Sequence, residues 1–117
     1  MSRTYKLYLQ DILTAIETIE RFVSGYTLEN FSVDELRLHG VLYNMMTIGE
    51  AVKSLPKELQ DQAPFVQWGD IARFRDKLVH HYFTIKPHLI WQFIHEDFPN
   101  LKKATQTLLK KIDDEIE

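Results

Sequence analysis

Between residues 5 and 23 the apolar side chains fall at Tyr5, Leu9, Ile12, Ile16, Ile19 and Val23, a spacing of 4-3-4-3-4. An α-helix gathers residues at those intervals on one side, whereas a strand would scatter them over both faces. The same arithmetic recurs at Val41, Met45, Ile48, Val52 and Leu55. Two long amphipathic helices must therefore cover each other's apolar stripes. No segment alternates apolar and polar residues long enough to read as a strand. The pattern predicts an all-α fold, an antiparallel bundle of about five helices with helices one and two as a long hairpin.

Local signals set the expected boundaries. Gly25 lies just past the first stripe, where a positive φ is wanted. Ser32 and Glu35 have the spacing of a capping box, which predicts the start of helix two at Ser32, and Pro56 marks its end. Gly40 and Gly49 lie inside that helix; each costs about 1 kcal/mol relative to Ala, so another backbone is expected to pack closely there. Residues 56–69 hold Pro56, Pro64 and Gly69 and read as a connector with a short turn of helix near Lys57 to Gln62. Helix three is expected from Trp68 to Tyr82, with Asp70 in its first turn. Pro87 opens a fourth helix reaching Asp97, and Pro99 a fifth with Leu101, Leu108 and Ile112 inward. Trp68 and Trp91 are expected in the core.

A length of 117 residues fits a single domain over 1–117, and 44% apolar with 12% aromatic residues suits a globular core. The absence of Cys excludes disulfides, thiolate zinc sites and a cysteine nucleophile. A net charge of −3 argues against tight, sequence-independent nucleic-acid binding, though not against an enzyme that meets RNA briefly. Asp11 and Glu17 interrupt any apolar run near the start, so neither a signal peptide nor a membrane span is expected and the protein reads as cytoplasmic. Phosphate loops, serine elbows, zincin motifs and calcium loops are absent. His80, His81, His88 and His95 cluster late in the chain, but no two stand four apart on one helical face. No metal and no cofactor is expected.

The anomaly is in helix three. Its stripe runs Ile71, Arg75, Leu78, Tyr82, so an Arg occupies a position the pattern reserves for an apolar side chain. A buried guanidinium needs a partner. One reading is a structural ion pair with Glu50 or Asp76. The other is a phosphate-binding Arg beside a His general acid or base at His80, the minimum set for metal-free RNA cleavage. Five residues separate the two, so on a regular helix they point about 140° apart. One helix cannot focus both on one phosphate, but a two-fold homodimer with this helix facing its mate could.

Arg75-x-x-x-x-His80-x-Tyr82 resembles the Arg-x4-His-x-Tyr motif of HepT-like toxins in the HEPN superfamily of ribonucleases. Ile48-Gly49-Glu50-Ala51, Trp68-x-x-Ile71, Ile90-Trp91 and Asp97-x-Pro99-x-Leu101 match further segments of that family in order. Asp76 departs from the Asn usual after the Arg. The resemblance implies the toxin of a type II toxin–antitoxin system: a homodimeric, metal-independent endoribonuclease with Arg75 and His80 catalytic. Glu50, Asp76 and His81 would be supporting residues, His81 as a substitute for His80. The partner implied is a minimal nucleotidyltransferase antitoxin that adds AMP to Tyr82. The rival expectation is a non-catalytic module that binds substrate or nucleotide for that nucleotidyltransferase.

Overall fold

A computed structural model describes residues 3–116. Helix α1 spans Arg3–Val23, α2 Leu28–Val33, α3 Glu35–Ser54, α4 Lys57–Gln60, α5 Trp68–His81, α6 Pro87–Gln92 and α7 Phe98–Ile116. A 3-10 turn, Tyr82–Thr84, follows α5, and a π-helical turn, Phe93–Asp97, joins α6 to α7. Among the described residues there is no strand, and no helix is long and apolar enough to cross a membrane.

The α1 stripe is core over most of its length: Leu9, Ile12, Ile16 and Ile19 are fully or almost fully buried, and Tyr5 at its start is half-buried. They meet Val41, Met45, Ile48 and Val52 of α3 and Leu101, Leu108 and Ile112 of α7 in one hydrophobic cluster. Cross-links give the directions. Arg37 Nη1 near the start of α3 donates to the Phe22 carbonyl near the end of α1 at 2.8 Å, while Tyr8 and Asp11 share a groove with Thr47 and Ser54. Lys102 pairs with Glu20 at 2.9 Å and Lys6 with Asp113 at 2.6 Å. Both α3 and α7 therefore run antiparallel to α1.

Gly25 has φ +77°, as its place after α1 predicts. The expected capping box is not formed. Residues 28–33 close a helical turn of their own, anchored by fully buried Phe31 against Trp91 with ring centroids 5.3 Å apart. Thr27 caps that turn through Asn30 N–H. Ser32 thus lies inside a helix and donates to the Leu28 carbonyl at 2.7 Å, so the start of α3 is capped by Asp34, which accepts Arg37 N–H at 3.0 Å. That backbone bond, with those from Tyr26 hydroxyl and the Arg37 guanidinium, holds the Asp34 carboxyl below the usual range. The expected fourth and fifth helices are also not separate. Pro99 cannot donate to the carbonyl four residues back, and the run widens there: Phe98 N–H reaches the Phe93 carbonyl.

Trp68 is core, its Nε1 donating to the Ala63 carbonyl at 3.0 Å, which locks the 56–69 connector to α5. Trp91 is half-buried. Leu78 is the fully buried residue between Arg75 and Tyr82. Leu78→Ala should lower stability by about 2–5 kcal/mol; a urea midpoint within error of the parent's would mean that α5 is not held by this packing.

Candidate active site

The α5 stripe predicted from spacing is the face that meets α3. Ile71 and Leu78 are buried, and Arg75 lies between them with its side chain 25% exposed. Room for its stem comes from Gly49. A methyl group at that position would overlap Arg75 Cβ and Cγ and stand 3.4 Å from its Cα. Here the close approach is to a side-chain stem as much as to backbone; at Gly40 it is to the Phe22 ring. Arg75 Nε is, among the described residues, a buried side-chain nitrogen with no hydrogen-bond partner. The guanidinium tip is thereby directed to the edge of the α3–α5 crossing.

At that edge both carboxylates named from the sequence engage it. Nη1 donates to Asp76 Oδ1 at 3.1 Å, and Nη2 lies 3.5 Å from Glu50 Oε1. Neither pair is sealed, because the Glu50 and Asp76 side chains are 59% and 46% exposed. Solvated pairs of this kind are held weakly and exchange readily. Lys53, one turn beyond Glu50, donates to the same Asp76 Oδ1 at 2.9 Å. The Lys53 hydrogen bond first, and the Arg75 one second, hold the Asp76 carboxyl below the usual range. Asp76 is therefore ionised at neutral pH. Sequence reasoning did not single out Lys53: an exposed lysine near a helix end carries no signal of its own, and its partner lies 23 residues away.

His80 and His81 are both exposed. Arg75 and His80 both lie within α5, so they keep the offset of about 140° expected from helical geometry, and one chain does not bring them together. His81 ends the helix and its carbonyl accepts from Thr84 Oγ1 at 3.0 Å. Tyr82, in the 3-10 turn, stays on the Arg75 side: half-buried, its ring 5.8 Å from that of His39 on α3. His39 is the second neighbour that sequence reasoning missed. The hollow on the far side of α5 is lined by Asp70, Arg73, Phe74, Lys77, Phe93 and Asp97 and so holds none of the predicted residues. Burial, then Asp70 and Glu96, push the Asp97 carboxyl above its ordinary value there.

The family profile described as Ribonuclease HepT-like matches residues 12–108. The chain is similar to a protein of Thermococcus cleftensis named probable ribonuclease HepT, 38% identical over 110 residues, covering 94% of this chain and 100% of the relative. It is similar to a "Putative RNase" of Caldanaerobacter subterraneus subsp. tengcongensis, 37% identical with 93% and 97% covered. One of that same designation in Methanocaldococcus jannaschii is 37% identical, with 96% and 93% covered. No solved structure matches the chain.

The two glycines of α3 should respond differently to alanine. Gly49→Ala must push α5 away from α3 and is expected to cost about 1–3 kcal/mol, despite the better helix propensity of Ala. Gly40→Ala meets the Phe22 ring at 2.8 Å, a side chain that can swing aside, and should cost less. Equal shifts in the two urea midpoints would contradict the close crossing at Arg75.

Proposed function

This chain belongs to the HepT-like ribonuclease family, and from that premise we propose that it is a metal-independent endoribonuclease acting as the toxin of a type II toxin–antitoxin system. The observation that carries the reading is the placement of Arg75. Its stem is pinned against Gly49 while its guanidinium meets solvent between two exposed carboxylates. A guanidinium so held is positioned to donate to phosphate oxygens through its planar fork. His80, exposed on the next turns of the helix, takes the proton of the ribose 2′-hydroxyl or returns one to the departing 5′-oxygen. The 2′-oxygen bonds to phosphorus as the 5′-oxygen leaves, giving a cyclic phosphate end. Arg75 stabilises the charge gathering on the non-bridging oxygens.

The working unit in this proposal is a homodimer, because the offset between Arg75 and His80 calls for a second copy to complete the site. Leu36 and Tyr43 on α3 and Val79 on α5 are exposed at 87%, 71% and 43%, which supports a covered face on these two helices. The rival reading is a non-cutting module that binds substrate or nucleotide for a nucleotidyltransferase; a purely structural role would need Arg75 sealed by its carboxylates, and Glu50 and Asp76 are 59% and 46% exposed.

Cleavage decides between them. The parent should be a dimer by light scattering and should leave cyclic-phosphate ends on RNA in the presence of chelator. Arg75→Ala and His80→Ala should each lower the rate by 100-fold or more, roughly the worth of a charge-stabilising or proton-transferring group, with the helical circular dichroism kept. Uncut RNA with the parent would leave the binding-module reading.

Tyr82 is the proposed site of AMP addition by a minimal nucleotidyltransferase antitoxin. It lies seven residues from Arg75, in the 3-10 turn that follows α5, with its ring beside His39 of α3. Phosphodiester-linked AMP there brings negative charge to the cation that RNA needs. Coexpression with the nucleotidyltransferase should add AMP units by intact mass, absent in Tyr82→Phe. Neutralised toxicity with unchanged mass would mean inhibition by binding alone.

A further inference from the structure

We infer that Lys53 is a second phosphate-binding cation of the site, held beside Arg75 by Asp76 until RNA displaces the carboxylate. The inference rests on the ribonuclease reading and deepens it. Its basis is a single oxygen with two cations on it: Asp76 Oδ1 accepts from Lys53 Nζ at 2.9 Å and from Arg75 Nη1 at 3.1 Å. The two nitrogens are therefore at most about 6 Å apart, since both reach one acceptor at hydrogen-bond distance. They come from different helices, Lys53 from α3 and Arg75 from α5, and converge only because Gly49 lets those helices touch.

An anionic oxygen shared by a lysine and an arginine is the environment a phosphodiester oxygen seeks. Asp76 occupies it as an internal stand-in. Its side chain is 46% exposed and that of Lys53 44%, so Asp76 can rotate away without opening the core and water can follow it. Two cations then face the vacated point, the fork of Arg75 on one side and the point charge of Lys53 on the other. The ligand class is the backbone of single-stranded RNA, read through phosphate and not through its bases. The Lys53–Asp76 pair also bridges α3 and α5, so the test must separate lost charge from lost geometry.

Salt dependence does so. Each phosphate contact on a single strand contributes about 0.7 to the slope of log affinity against log salt. Binding of a short labelled oligouridylate is measured on the His80→Ala background, which keeps the RNA whole. Lys53→Gln should weaken binding several-fold and lower the slope by about 0.7, Lys53→Arg should keep both, and Asp76→Asn should tighten binding at low salt. An unchanged slope in Lys53→Gln, with the parent still cutting RNA, would overturn the inference alone. So would Lys53→Arg behaving like Lys53→Gln, which would mark a geometric bridge. An oligouridylate that does not bind, together with a parent that cuts no RNA, would remove the ribonuclease reading and this inference with it.

Discussion

Everything near the candidate site depends on the contact between Gly49 and the stem of Arg75. Helices with ordinary side chains at a crossing keep their axes about 8–10 Å apart; removing the Cβ at one position lets the partner's Cβ and Cγ into that space. Three consequences follow. The buried stripe of α5 can contain an Arg without a cavity. The guanidinium emerges at a defined edge, within reach of Glu50 on α3 and Asp76 on α5. Further along the same antiparallel crossing, Tyr82 comes to rest beside His39. Burying a guanidinium is unfavourable unless its donors are met, and here only the tip is met, Nε being left unpaired. The fold thus holds a cation at a place where packing alone would have put a leucine.

The long helices were legible because burial imposes a period on sequence. The stripes of α1 and α3 are core almost residue for residue, and Gly25 and Pro56 end their helices where backbone chemistry says they should. The misreadings share a cause: a local signal overruled by a tertiary one. Ser32 and Glu35 have capping-box spacing, yet Phe31 finds a buried place against Trp91 and draws residues 28–33 into a turn of helix. The cap then passes to Asp34, which also ties down Tyr26 and Arg37. Pro99 reads as a helix start, but the chain keeps its direction through a π-helical turn, because Ile94, Phe98 and Leu101 all have core to fill.

For the site, the legible part was the exception to the period. Arg75 stands out because the stripe around it is otherwise apolar, and its two carboxylate neighbours are the partners the sequence itself offers. It offers neither Lys53 nor His39. Each is an ordinary polar residue on an exposed helix surface, and its relation to α5 exists only once α3 and α5 are laid across each other. Periodicity reports which side of a helix is buried; it is silent on which exposed residues of two helices meet at the rim of their contact.

That rim is electrically balanced. Lys53 and Arg75 face Glu50 and Asp76, two charges of each sign. The Asp76 carboxyl is depressed by its two cations, so its pairing is present above the ordinary carboxylate range and is lost only as pH falls through its lowered value. At neutral pH an incoming anion therefore competes with the ionised Asp76 carboxylate and not with water alone. With a net charge of −3 the chain as a whole does not draw polyanions in from a distance. An anion with a single weak acceptor gains little by displacing Asp76, whose oxygen already serves both cations. A phosphodiester can offer one oxygen to the Arg75 fork and another to Lys53, matching what the carboxylate provides and leaving neither cation unpaired. In the proposed role of Lys53 and Arg75, the masking carboxylates turn the two cations from a general attraction for negative charge into a preference for the shape of a phosphate.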